Sequence, residues 1–437
     1  MPLRDYFQSD RPLARVLNNL AWLMAGKGFG AALSLFYLAL ATQLLGPEQF
    51  GYFTLVFGTA QAISAIVSFQ SWQLVIRFGN HNLANNDGMA LQKNNSLTAY
   101  CILIDLGTAI IGLLLAAVVI LIFADRFGWS DDFTVSALLF SAVMLLSIKS
   151  SAIGVLRLYD RFRDGALAAA VIPLVRLLGA LVAWKVAPTV EGFLAAWALA
   201  EILATAAHWV LVRLNTPVRP TRTTLAEIRT VPASHNRFYN FAFVTNAGVT
   251  LKSVAQQVPL LVVGFVVGPA AAGFFRLAYQ LKDAASRFAE MLSRSMYAEF
   301  STLHAHGNTG EGTILFGQLR WIAAIGAVLL TLLAFFAGRP ILLLIAGPEF
   351  LPAYPILLIL ACASAIELFG VGYEPHLMAV GKPHISLIIR AISALLLIAI
   401  MIILLPALGS VGAAYAILAY SVTAVAMLHF YNIGKKP

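Results

Sequence analysis

Apolar residues run along this chain in long stretches separated by short loops, and none of the stretches alternates with period two. Twelve are readable: 18–41, 50–72, 97–123, 133–155, 166–187, 190–212, 240–266, 271–297, 314–337, 352–372, 384–406 and 409–431. A helix needs about 20 apolar residues to cross the hydrocarbon core, so each is long enough to span. In lipid the backbone must satisfy its own hydrogen bonds, and without strand alternation that leaves helices rather than a barrel. The pattern predicts an all-α integral membrane protein with 12 transmembrane helices.

Composition agrees, at 60% hydrophobic and 11% charged. The polar segment Met1–Arg15 and the long first run do not read as a cleavable signal. Charge adds orientation. One set of loops carries clusters such as Arg157, Arg161 and Arg163, and the run from Arg213 to Arg237, while the opposite loops hold only Arg126, Lys185 and Arg339. Basic loops stay cytoplasmic, so both termini are expected on the cytoplasmic side of the membrane. Topology also accounts for most of the formal +9 net charge, with no nucleic-acid partner required. The Arg213–Arg237 loop additionally suits contact with anionic membrane lipids.

A repeat organises the spans. Gly46-Pro47-Glu48-Gln49-Phe50-Gly51-Tyr52-Phe53-Thr54-Leu55 and Gly268-Pro269-Ala270-Ala271-Ala272-Gly273-Phe274-Phe275-Arg276-Leu277 match in their glycines, proline, aromatic pair and leucine, 222 residues apart. Looser matches follow Arg176 (Pro188, Gly192) and Arg390 (Pro406, Gly412). Two six-helix halves are expected, 1–212 and 240–437, joined by a basic cytoplasmic linker over 213–239. Parallel repeats of this kind hold solute between the halves near the midplane.

Charge inside the apolar runs supplies the candidate chemistry. Lys27, Lys149, Arg176, Lys252, Lys282, Arg287 and Arg390 all interrupt spans. A cation at a membrane helix centre costs roughly 2.5–3.5 kcal/mol, so such residues face a cavity, a partner or a pathway. In the eighth span Arg276, Gln280, Asp283, Arg287, Glu290 and Arg294 recur every three or four residues, one polar stripe about 80° wide. Shifted back by the repeat offset, the stripe falls on small or polar residues that include Gln61. The stripe lines a cavity or closes on itself through the i, i+4 pairs Asp283–Arg287 and Glu290–Arg294. Lys27 and Lys252, on faces with Gly30, Ser34, Thr245 and Gly248, either enter that cavity or snorkel to an interface. Arg390 lies close enough to the cytoplasmic end to snorkel, and Arg176 is nearer mid-membrane. Asp105, Glu201 and Glu367 are intramembrane acids that fit a coupling proton or sodium ion, or pairing with a neighbouring cation. His208, two turns beyond Glu201, reads as a packing residue.

Other chemistries find no motif. Gly26-Lys27 and Gly381-Lys382 lack the spacing and hydroxyl of a P-loop, and no zincin or nucleophile-elbow pattern is present. Cys101 and Cys362 stand alone in separate spans, so neither a disulfide nor a metal site is expected, and no cofactor is called for.

Leu44 to Tyr52, Asp160-Arg161-Phe162-Arg163 after the fourth span, and Pro406…Gly409…Gly412-Ala413-Ala414 resemble, in order and spacing, the bacterial polysaccharide flippases of the Wzx type. These belong to the multidrug/oligosaccharidyl-lipid/polysaccharide exporter superfamily, and the resemblance covers essentially the whole chain. It implies a V-shaped bundle around a central cationic cavity and a non-enzymatic, ion-coupled flippase for undecaprenyl-pyrophosphate-linked oligosaccharide. Substrate would meet Lys27, Lys252, Arg287, Arg276 and Arg176, and a polysaccharide polymerase and chain-length regulator would be its protein partners. Asp283 and Glu290 make such a cavity mixed in sign. A multidrug-type exporter, a membrane polymerase or ligase, and a non-transporting assembly subunit are the alternatives.

Overall fold

The computed structural model describes residues 12–69, 71–84, 88–235, 237–305, 309–379 and 383–433. The expected spans fall largely on helices, although the second runs past the end of the first helix at Val67 and the fourth crosses the non-helical Ser147–Lys149. The helices are α1 (Pro12–Val67), α2 (Ser71–Ala84), α3 (Ala90–Phe127), α4 (Asp131–Leu146), α5 (Ser150–Leu158), α6 (Phe162–Val186), α7 (Val190–Asn215), α8 (Leu225–Ser234), α9 (Phe238–Val267), α10 (Pro269–Ala305), α11 (Thr309–Ala346), α12 (Tyr354–Phe369), α13 (Tyr373–Ala379), α14 (Pro383–Leu408) and α15 (Ser410–Ile433). Nine segments among the described residues are long and apolar enough to cross a membrane. Leu33–Ala84, which runs through parts of the first two expected spans, counts as one of these segments, and Gln256–Val267 of α9 is a shorter apolar helix.

The chain forms two compact units, 52–261, and 1–51 together with 262–437. The contact boundary thus falls inside α1 and α9 rather than in the basic linker.

In the 52–261 unit the middle of α3 buries small residues and exposes large apolar ones. Along α3, Ala109, Gly112 and Ala116 are buried while Ile110, Ile111, Leu114 and Val118 are exposed. That inversion suits lipid, where small residues let helix backbones approach and large ones meet acyl chains. Gly112 meets Ile63, Val67 and Leu145, and Gly154 brings α5 against Trp72 and Val75 of α2. Helix ends are closed by local chemistry: Ser130 and Thr189 cap α4 and α7, and Thr224 with Glu227 forms a capping box on α8. Arg219 donates to the carbonyls of Arg213, Thr216 and Val218, satisfying acceptors at and beyond the end of α7.

In the other unit the repeated Gly-Pro blocks meet. Gly46 (φ 68°) breaks α1 and Gly268 (φ 124°) precedes α10, each in a conformation open to glycine, with proline starting the next helix. A methyl on Gly51 would lie 1.9 Å from the Pro269 carbonyl oxygen, and one on Gly273 would lie 2.5 Å from the Pro47 carbonyl oxygen. Each block's second glycine therefore seats the other block's proline carbonyl. Phe350 packs beside both, 5.9 Å from Phe50 and 5.8 Å from Phe274.

Candidate functional site

Three polar residues from separate elements converge inside the 52–261 unit. The polar run Ser147–Ile148–Lys149 interrupts the fourth span, ending α4 before α5 begins. The break is anchored by Trp209, whose indole donates to the Ile148 carbonyl at 2.8 Å. It presents Lys149, whose ammonium bonds Glu201 Oε2 on α7. Arg176 on α6 donates to the other carboxylate oxygen, Oε1, at 3.0 Å. Aromatic rings wall the arginine, with its guanidinium carbon 5.2 Å from the Phe57 ring and 5.5 Å from Trp197. His208 points its Nδ1 to the Ala204 carbonyl within its own helix, at 2.7 Å.

The cluster holds two cations and one carboxylate, a formal surplus of one positive charge. Its burial is graded: side-chain exposure is 7% for Glu201, 12% for Arg176 and 26% for Lys149. Two polar atoms nearby are buried without a hydrogen-bond partner, Arg176 Nε and Gln61 Oε1. Gln61 lies one turn beyond Phe57 on the same helix face.

Asp105 sits next door with a different task. Its Oδ2 accepts from Ser71, the first residue of α2, at 2.8 Å and from Ser151, at the start of α5, at 2.6 Å. One carboxyl group thus ties together two helix starts. The hydroxyls are themselves 3.3 Å apart.

The other unit holds paired charges. Lys282 on α10 bonds both oxygens of Glu367 on α12, at 3.2 and 3.1 Å, and Ser421 on α15 donates to Glu367 Oε1 at 2.8 Å. Lys282 is 8% exposed. Arg390, placed for snorkelling, instead bonds both oxygens of Glu374 on α13, with Ser386 donating to the same carboxylate. Like the fourth span, the tenth is broken, over Gly370–Gly372 between α12 and α13. Ile148 and Val371, the midpoints of the two breaks, lie 223 residues apart, close to the Gly-Pro offset.

Arg276, Gln280 and Asp283 lie half-buried on α10. The side chains of Lys27, Lys252, Arg287, Glu290 and Arg294 lie outside the described residues. The structure brings Arg176 and Glu201 together and pairs Glu367 with a cation. Lys149 and Lys282, singled out as intramembrane cations, prove to be the partners of those acids. Cys101 and Cys362 are free thiols, and no group of three metal-ligating side chains occurs among the described residues.

Comparison with known proteins gives this geometry a setting. Residues 16–304 match the family model described as polysaccharide biosynthesis protein. An inner membrane protein of Escherichia coli strain K12, YghQ, is 26% identical over 354 residues, covering 80% of this chain and 97% of the relative. Among solved structures, the fold matches an inward-facing MATE-family multidrug resistance transporter of the MOP superfamily (TM-score 0.75, 14% identity, 92% of this chain and 94% of that one). It also matches the lipid II flippase MurJ in an inward closed conformation (TM-score 0.73, 16% identity, 95% and 88%). The matched residues take in α1 to α9 and most of α10, including the Lys149–Glu201–Arg176 cluster. This multi-pass, all-α membrane protein is therefore a member of the polysaccharide biosynthesis protein family.

Proposed function

We propose that the protein is a flippase that carries undecaprenyl-pyrophosphate-linked oligosaccharide units across the bacterial inner membrane by alternating access, using a proton or sodium gradient. Family membership and a fold shared with MurJ and MATE transporters support this reading. The observation that carries it is the surplus cation at Lys149, Arg176 and Glu201. Unbalanced positive charge inside a membrane is costly unless it serves an anion. A diphosphate suits this pair: arginine offers a planar fork of donors, and lysine a compact point charge.

In this reading Lys27, Lys252, Arg276 and Arg287 join Arg176 around the headgroup. Gln61, Gln280, Asp283, Glu290 and Arg294 line its path. Asp105, Glu201 and Glu367 are the acids within reach of a coupling ion. A polysaccharide polymerase and chain-length regulator then take the delivered unit.

The test is genetic and chemical together. Removing the protein from its host should abolish surface polysaccharide and leave lipid-linked oligosaccharide on the cytoplasmic leaflet. Lys149→Gln and Arg176→Gln should do the same with the protein still inserted. Wild-type export in both variants, or drug sensitivity with unchanged polysaccharide in the deletion strain, overturns the proposal.

A further inference from the structure

Glu201 bridges its two cations as a phosphoryl group would, one oxygen to each. We propose that Glu201 is a resident counter-ion, holding the place on Lys149 and Arg176 that substrate phosphate takes, so that loading exchanges one anion for another. This rests on the flippase reading and says how its site stays intact when empty and lets go when full.

Electrostatics supplies the first argument. Two cations brought to one point in a low-dielectric interior repel each other, and each carries a large desolvation cost. Glu201 holds them at a common focus without substrate. With it in place the cluster keeps one net positive charge, so a single negative charge completes it. A diphosphate diester brings two, which puts the arriving anion in direct competition with the carboxylate.

Access is the second argument. Glu201 and Arg176 are nearly closed off, whereas Lys149 keeps 26% of its side-chain surface open. Lys149 also stands on the non-helical step between α4 and α5, as the N-cap residue of α5. An incoming anion meets Lys149 first and reaches the arginine as the carboxylate withdraws. Arg176 Nε then gains an acceptor, and the Gln61 carbonyl oxygen is available to a sugar hydroxyl.

The third argument concerns release. A carrier must bind strongly enough to select and weakly enough to discharge. A competing carboxylate tethered to α7 lowers net affinity without removing any contact to substrate. It also favours strongly charged phosphoryl groups, since a weak anion cannot displace it.

The experiment uses full-length protein in nanodiscs with a short-chain polyprenyl diphosphate sugar, whose charges do not titrate near neutrality. Glu201→Gln should bind the probe about tenfold tighter than wild type yet transport it more slowly. Empty, this variant should melt below wild type, and the probe should restore the loss. Glu201→Asp keeps the charge and should keep affinity within a few-fold, while Lys149→Gln should weaken binding. Tighter binding with slower turnover and ligand rescue supports the exchange. Unchanged or weaker binding in Glu201→Gln, or melting that the probe does not rescue, overturns it. Should Glu201→Gln fail to insert, Glu201→Asp with affinity altered beyond a few-fold overturns it as well. No binding by the wild-type protein would instead count against the flippase reading.

Discussion

Two intramembrane ionic clusters share ingredients and differ in how the carboxylate oxygens are shared. In the 52–261 unit, Lys149 and Arg176 divide the two oxygens of Glu201 between them. In the other unit, Lys282 takes both oxygens of Glu367. Both place a lysine and a glutamate on elements at or beside a broken span, but the polarity is exchanged: the broken span gives the cation in one case and the acid in the other. Where one lysine takes both oxygens of a carboxylate, the contact ties helices together. A two-to-one cluster also holds helices, and retains attraction for a further anion. The contrast separates binding from scaffolding more cleanly than the number of charges in the membrane.

The contrast can be broken by removing one cation from each cluster and reading thermal unfolding of the purified protein. Lys282→Met should have the largest effect, a loss of about 3 kcal/mol, because it strips the lysine from Glu367. Adding Glu367→Leu should recover much of it, and a double variant no better than the single would show that the pair's charge is not what matters. Asp105→Ala comes next, at about 2 kcal/mol, since the Ser71 and Ser151 hydroxyls lose their shared acceptor beside the Lys149 break. Arg176→Met should cost only about 1 kcal/mol, because a complete Lys149–Glu201 pair remains, while abolishing export. A collapse in stability equal to that of Lys282→Met would erase the distinction between the clusters.

The smallest effect lies in the basic join, away from both clusters. His235 is buried against Phe78 and Phe238, with Nδ1 2.9 Å from the Val231 carbonyl and Nε2 3.1 Å from Asn82 Oδ1. Burial holds its imidazole below the ordinary value of 6.5, and His81 and Lys93 push the same way while the Val231 carbonyl opposes them. An unfolded join therefore binds more protons near that pH than the folded one. The contribution is complete above 6.5 and is lost as pH falls toward the lowered value. Limited proteolysis should cut between Arg219 and Arg237 faster at about pH 5.5 than at about pH 7.5, and His235→Gln should remove that dependence. Equal rates in wild type would exclude it.

Much of the fold was readable because its signals are local. Unbroken apolar length gives the spans, and Gly46-Pro47 and Gly268-Pro269 mark helix starts through torsions open to glycine. The site was half readable. Arg176 and Glu201 stood out as charges in lipid, but partner choice is a property of packing. Glu201 lies 25 residues from Arg176 and 52 from Lys149, and Lys282 lies 85 from Glu367. Helical periodicity relates residues on one face of one helix and is silent about which helix comes alongside. The run Ser147–Ser151 did carry a usable sign, since four polar residues around Ile148 interrupt an apolar span where the helix breaks. The role of Asp105 was not legible, because it depends on two helix starts that meet only after folding.

The reciprocal seating of the two Gly-Pro blocks bears on how such a chain can change over generations. Duplicated segments ordinarily drift apart, each free to lose what the other preserves. Here each copy is the mould for its twin: the hollow at Gly51 is filled by Pro269, and that at Gly273 by Pro47. A side chain gained in one copy collides with the backbone of the other, which no rotamer can relieve. The likeness of the two blocks is therefore held in place where they touch, and there a sequence reader still finds it.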